Sequence, residues 1–247
     1  MKRKREALPG KCRLCLADPV MLKRSHILPK FHYKPCRGKD NEIRLLSGAG
    51  PRGGRVVRGG GFWEFMLCGS CEGLLNRWET YANGVLFWSG STLGRIVPEG
   101  FEIKVDYSKF KLYALSILWR MSISSRPEFK NVSLGAIHEE TLRSAILAEN
   151  PLSPNEYPLM LTAFRMDGQF FQDVIIPPIG WDGGSGDDIC RVVMNGLIFC
   201  FIVRWAGTTE MLEPIQLSTT DTVFVRVADI SEIPFLDHYF REGSKVW

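Results

Sequence analysis

In YSKFKLYALSILWRMSIS, beginning at Tyr107, the apolar residues Phe110, Tyr113, Ile117, Leu118 and Met121 recur at intervals of three and four. That period places them on one side of an α-helix. A second helix is expected at HEETLRSAILAEN, with its acids early and Arg143 late, the polarity the helix dipole favours. Together these make residues from about 104 to 150 helical. The pattern then changes. LMLTAFRM, FFQDVII, VVMNGLIFCFIV and TVFVRVA, between residues 155 and 230, are runs of β-branched and aromatic residues that predict strands. The loop IPPIGWDGGSGDD separates two of them. Helices first and a mostly antiparallel sheet after make this half an α+β fold, residues 91–247.

Residues 1–90 are organised differently. The segment GAGPRGGRVVRGGG (48–61) has too few apolar residues to pack a core and predicts a loop or mobile hairpin. The first 60 residues hold sixteen Lys/Arg against four Asp/Glu, a balance of +12; the remainder holds fifteen against twenty-three, a balance of −8. Such polarity suits an N-terminal part that meets a polyanion, most simply nucleic acid. The alternative is a solvated basic tail from Lys2 to Arg5. At 45% apolar residues the chain can bury a core, and global disorder is excluded. No apolar run is long enough to cross a bilayer, so no membrane partner is expected. The basic start has no apolar segment behind it, unlike a secretory signal, so the expected location is the cytoplasm. There, seven cysteines point to metal or buried thiols and not to disulfides.

Four of the seven form two C-x-x-C pairs, Cys12 with Cys15 and Cys68 with Cys71. Thiolates are soft ligands that suit zinc, and four of them close a tetrahedral structural site. The first pair sits in a knuckle that turns at Asp18-Pro19; the second opens the amphipathic stretch EGLLNRWETYA. A knuckle plus a pair at a helix start is the layout of a treble clef. Four unrelated buried thiols, or a redox pair, are the alternatives. Cys36, Cys190 and Cys200 are expected as a loop thiol and two strand-core residues.

Between the pairs lies KRSHILPKFHYK. C-x-x-C, then His-x-x-Pro at His26 to Pro29, then Leu-Cys-x-x-Cys opening a helix, resembles the HNH (ββα-metal) endonucleases in a divergent bacterial form. The resemblance covers residues 12 to about 82. It implies that His26 is the general base and that a single divalent ion, magnesium or manganese, stabilises the charge developing on the scissile phosphate. It implies that Glu72 stands where the family places a metal-binding His or Asn. Asn76, a turn further, would orient metal or phosphate, and Glu64 is the polar candidate for the middle position of the motif. Ser25 departs from the acid the family often carries before its base. Glu79 is expected to cap or pair on its own helix.

Around His26, Arg24, Lys30, His32, Lys34, Arg37 and Lys39 are candidate phosphate contacts, with Phe31 and Tyr33 interleaved. Arg52, Arg55 and Arg58 add charge from the glycine-rich loop. Phe31 and Tyr33 are expected to pack beneath the hairpin; Trp63, Trp78 and Trp88 to pack around the zinc helix. Histidines 138 and 238 are expected at the surface.

Three functions follow from these residues. The first is a metal-dependent endonuclease acting on nucleic acid, DNA foremost, in a role such as defence against foreign DNA. The second is a zinc-organised nucleic-acid-binding module without cleavage. The third is an interaction module in which zinc is a staple for a thin core. The second half would supply a protein partner surface or self-association.

Overall fold

The helical period after residue 107 folds as expected, and the rest of the molecule is arranged around it. The structure is a computed structural model that describes residues 7–36, 43–46, 54–57, 60–87, 100–166, 168–170, 173–179, 187–207, 209–220 and 222–236. The N-terminal part contains β1 (Leu8–Gly10), β2 (Val20–His26), β3 (Ile43–Leu46), β4 (Gly54–Val57), β5 (Trp63–Cys68) and α1 (Gly69–Phe87). Then come β6 (Gly100–Lys104), α2 (Tyr107–Ser122), α3 (Ala136–Leu147), β7 (Leu159–Met166), β8 (Gln169–Phe170), β9 (Ile175–Ile179), β10 (Asp188–Met194), β11 (Leu197–Arg204) and β12 (Thr222–Asp229).

The Asp106 side chain accepts a hydrogen bond from Lys109 N and so caps α2. The helix is buried on nearly every side, from Phe110 to Met121, which makes it a central element and not a surface one. Tyr113 meets Phe199 of β11 edge-on, with ring centroids 6.2 Å apart. Arg120 reaches Glu79 on α1, and Ser122 donates to Glu139 on α3. Helix α1 turns Cys71, Leu75, Trp78, Ala82 and Leu86 inward, a spacing of three and four.

The large sheet has the order β6-β12-β7-β11-β10-β9, with β8 paired to β7. All its pairings are antiparallel except β12 with β7, so the sheet is mixed. Alternate residues serve its two faces. Phe199 and Phe201 of β11 and Val223 and Val225 of β12 join the main core, while Ile198 and Ala228 join a smaller one with Ile230, Ile233 and Leu236. Three elements differ from expectation. The run VVMNGLIFCFIV is two strands, because Asn195 and Gly196 both take positive φ (55° and 76°) and close a tight hairpin. The stretch FFQDVII is likewise divided between β8 and β9. Residues 100–104 form an additional strand on β12, burying Phe101 and Ile103 and exposing Glu102 and Lys104.

In the N-terminal part, β2 pairs with both β1 and β5, and β3 pairs with β4. The glycine-rich segment thus contributes β4 to a two-stranded ladder. The chain enters β5 through Gly61, whose φ of 110° lies against the Tyr33 ring, where a Cβ would come within 2.5 Å of a ring carbon. One continuous core runs from Cys12 through Trp78 and Phe110 to Val227, so the zinc-motif segment and the sheet bury their apolar side chains together.

Candidate metal centre

The knuckle is a short turn. Cys12 N donates to Ala17 O and Leu16 N to Cys12 O, with Leu16 at φ 64°. Strand β5 delivers Cys68 as its last residue, and the first turn of α1 delivers Cys71. All four sulfur atoms lie within 4.8 Å of one another, and among the described residues this is the one cluster able to hold a metal ion. Zinc–sulfur bonds of about 2.3 Å in a tetrahedron put sulfurs about 3.8 Å apart. Cys15 Sγ and Cys68 Sγ are 3.9 Å apart, so the set fits zinc. Cys68 N also donates to Cys12 Sγ at 3.4 Å, a backbone dipole directed at sulfur. Burial works to raise the Cys12 thiol, but N–H groups of Cys68, Cys15 and Leu14 bring it down to about 7. Burial and the three neighbouring sulfurs push Cys71 well up. Four crowded sulfurs resist carrying negative charge together until a cation joins them.

His26 ends β2 and pairs with Trp63; it is half-buried, with its ring centroid 6.2 Å from that of Tyr33. Ser25 beside it is fully buried and accepts from Leu67 N at 3.1 Å. Its hydroxyl donates to Lys23 O at 3.4 Å and stands near enough to the Glu72 carboxyl to favour that group's charged form. Burial raises the Glu72 carboxyl, against the nearby Ser25 hydroxyl and the positive charge of Arg120, while Glu79 adds to the rise. Asn76 is exposed.

Several expected site residues are placed elsewhere. Glu64 turns to the end of α2, where Ser124 Oγ (2.5 Å), Ser125 N (3.0 Å) and Ser125 Oγ (2.9 Å) donate to it. Its carboxylate is committed to holding that loop. His32 is not a phosphate contact: it is fully buried. Its Nδ1–H points to Asn195 Oδ1 at 2.5 Å, and its Nε2 receives Tyr113 OH at 2.5 Å, a tautomer set by the amide oxygen. Glu79 pairs across helices, with Arg120, and not on its own helix. Phe31 and Tyr33 are buried as expected, as is Trp78, but Trp63 is half-exposed. His138 is half-buried and bonded to Tyr157 OH at 2.8 Å. Cys36 and Cys190 are buried and Cys200 half-buried. Arg24, Lys30 and Lys34 are exposed. Arg55 lies on β4 opposite Leu45. Arg37, Lys39, Arg52, Arg58, Trp88, His238 and the tail from Lys2 to Arg5 lie outside the described residues.

Arg120 was not anticipated as a site residue. It is 2% exposed. Its Nη1 lies 2.8 Å from Glu79 Oε1, at an angle that makes the contact ionic without a directed hydrogen bond. The same nitrogen donates to the carbonyl of His26 at 2.7 Å, and Nε and Nη2 donate to Ser116 O and Oγ. A fixed cation therefore sits behind the end of β2, beside two carboxylates. The signal was a lone charge inside the apolar run LYALSILWRMS; a charge at such a position is seldom buried unpaired.

Comparisons with protein-family models, with curated proteins and with solved structures each found no match to this chain. No helix among the described residues is long and apolar enough to cross a membrane.

Proposed function

We propose that this chain is a zinc-organised nucleic-acid-binding protein. Its N-terminal part is a treble-clef module of HNH-like layout, with the buried guanidinium of Arg120 supplying a fixed positive charge beside Glu79 and Glu72. The observation that carries the binding reading is the surface around the cysteine cluster. Within residues 7–36 the exposed charged side chains are Lys11, Arg13, Lys23, Arg24, Lys30 and Lys34 against Asp18 alone. Cations held on a zinc-fixed hairpin neutralise phosphates and release counterions, which gives affinity without reading sequence. Zinc closes the knuckle onto the first turn of α1 and fixes the hairpin that carries these charges.

The Arg120 reading rests on its burial and its ion pair. With a permanent positive charge already near Glu79 and Glu72, these two carboxylates have less need of a second cation. Hydrolysis is the second reading. It is favoured by His26 at the end of β2, the position the resemblance gives the general base.

One preparation of zinc-loaded protein tests both. Binding to duplex DNA should weaken with salt, with a log–log slope between about −3 and −5, and replacing Lys23, Lys30 and Lys34 by Gln should remove about one unit per residue. Plasmid incubated with manganese should stay intact. Salt-independent or absent binding overturns the binding reading. Nicking by the wild type that is lost in His26→Ala replaces it with the nuclease reading.

A further inference from the structure

The pairing of β2 with β5 sets Arg24 opposite Phe65 and His26 opposite Trp63. Residues opposed in an antiparallel pair share a face, and so do residues two apart along a strand, so these four side chains lie on one side of the hairpin. Ser25 faces the other side, where it is buried and accepts from Leu67 N. The face of the four is not buried: Arg24 is exposed, and His26, Trp63 and Phe65 are half-exposed. The Arg24 guanidinium carbon lies 4.2 Å above the Trp63 ring and 5.9 Å from the Phe65 ring, and the two rings meet edge to face at 5.7 Å. Trp63 therefore backs a flat, exposed cation, and Phe65 lies beside it.

Duplex DNA hides its base faces and offers a protein phosphates and groove edges. A planar cation on an aromatic support is instead suited to an unpaired base, which stacks on arginine planes and aromatic rings alike. Lys23 on the same strand and Lys30 just beyond it are exposed and supply charge complementary to the phosphates on either side.

We propose that this hairpin face is a stacking site for an unpaired base of a single-stranded nucleic acid, with the guanidinium plane of Arg24, backed by Trp63, as the platform. The inference rests on the nucleic-acid-binding reading above and narrows its ligand from any polyanion to one with accessible bases. A lysine at position 24 keeps the charge and loses the plane, so charge and stacking separate experimentally.

The test is fluorescence anisotropy of a labelled short DNA strand and of its duplex, titrated with zinc-loaded wild type, Arg24→Lys and Trp63→Leu. Zinc content and melting temperature of each variant report its fold. The wild type should bind the strand roughly tenfold more tightly than the duplex, from one stacked base. Arg24→Lys should lose that preference while duplex affinity stays within about twofold, and Trp63→Leu should follow it. Equal wild-type affinity for strand and duplex, or a preference that survives in Arg24→Lys, overturns the stacking site and leaves the binding reading standing. No binding to either overturns both.

Discussion

His32 shows how far one side chain can depart from its sequence neighbourhood. It lies among lysines, yet its ring is enclosed between α2 and the tip of the β10–β11 hairpin, with both nitrogens bonded. Burial, with Arg120 adding repulsion against the Asn195 bond, lowers its proton affinity to about 3 from the usual 6.5. In the unfolded chain the ring takes a proton near 6.5; in the fold it resists until about 3. Its contribution to stability is therefore complete above pH 6.5 and is lost as the pH falls through that window, at no more than about 1.4 kcal/mol per pH unit. Urea melts at stepped pH should show this decline. His32→Phe should flatten it and lower stability at pH 7 by about 1–3 kcal/mol, because Tyr113 OH and the Asn195 amide lose their partner. A decline of equal slope in the variant would assign the titration to another group. The cysteine pairs, by contrast, were legible from spacing alone, since two thiols separated by two residues reach one ion from a single turn. The fate of His32 was not, because its partners lie 81 and 163 positions away.

At the level of elements, period was a sound guide and boundaries were not. Helices α2 and α3 and strands β7 and β12 follow their apolar patterns. The Asn195-Gly196 turn was concealed by apolar residues on both sides, although its dipeptide is a strong hairpin signal. Strand β6 alternates buried and exposed residues but is only five residues long, too short a window for its period to stand out. Arg120 joins elements that the sequence gives no reason to connect: it ties α2 to α1 through Glu79 and to β2 through the His26 carbonyl. Removing one partner of such a buried pair leaves a charge uncompensated. Arg120→Met should cost about 3–5 kcal/mol in urea denaturation, and pairing it with Glu79→Leu should restore a large part of the loss. If the double variant is no more stable than the single, the pair is not what α2 contributes through this residue.

For the whole molecule, the charge asymmetry and the α+β order of the second half were readable from composition and pattern. The shared core was not, because it depends on long-range packing of the zinc-motif segment against α2 and the sheet. That packing gives the four-cysteine cluster a consequence beyond its own turn, since the knuckle, hairpin and first turn of α1 all contribute buried residues to it. Loss of an ion held by these cysteines should therefore loosen the support beneath the cationic face. The most direct test is zinc K-edge X-ray absorption of the purified protein, with metal content measured alongside. Coordination by Cys12, Cys15, Cys68 and Cys71 predicts one zinc per chain and a shell of four sulfurs at about 2.3 Å, reduced in occupancy in Cys68→Ser. A folded protein without zinc, or a shell in which nitrogen or oxygen replaces two or more sulfurs, would contradict the four-thiolate centre.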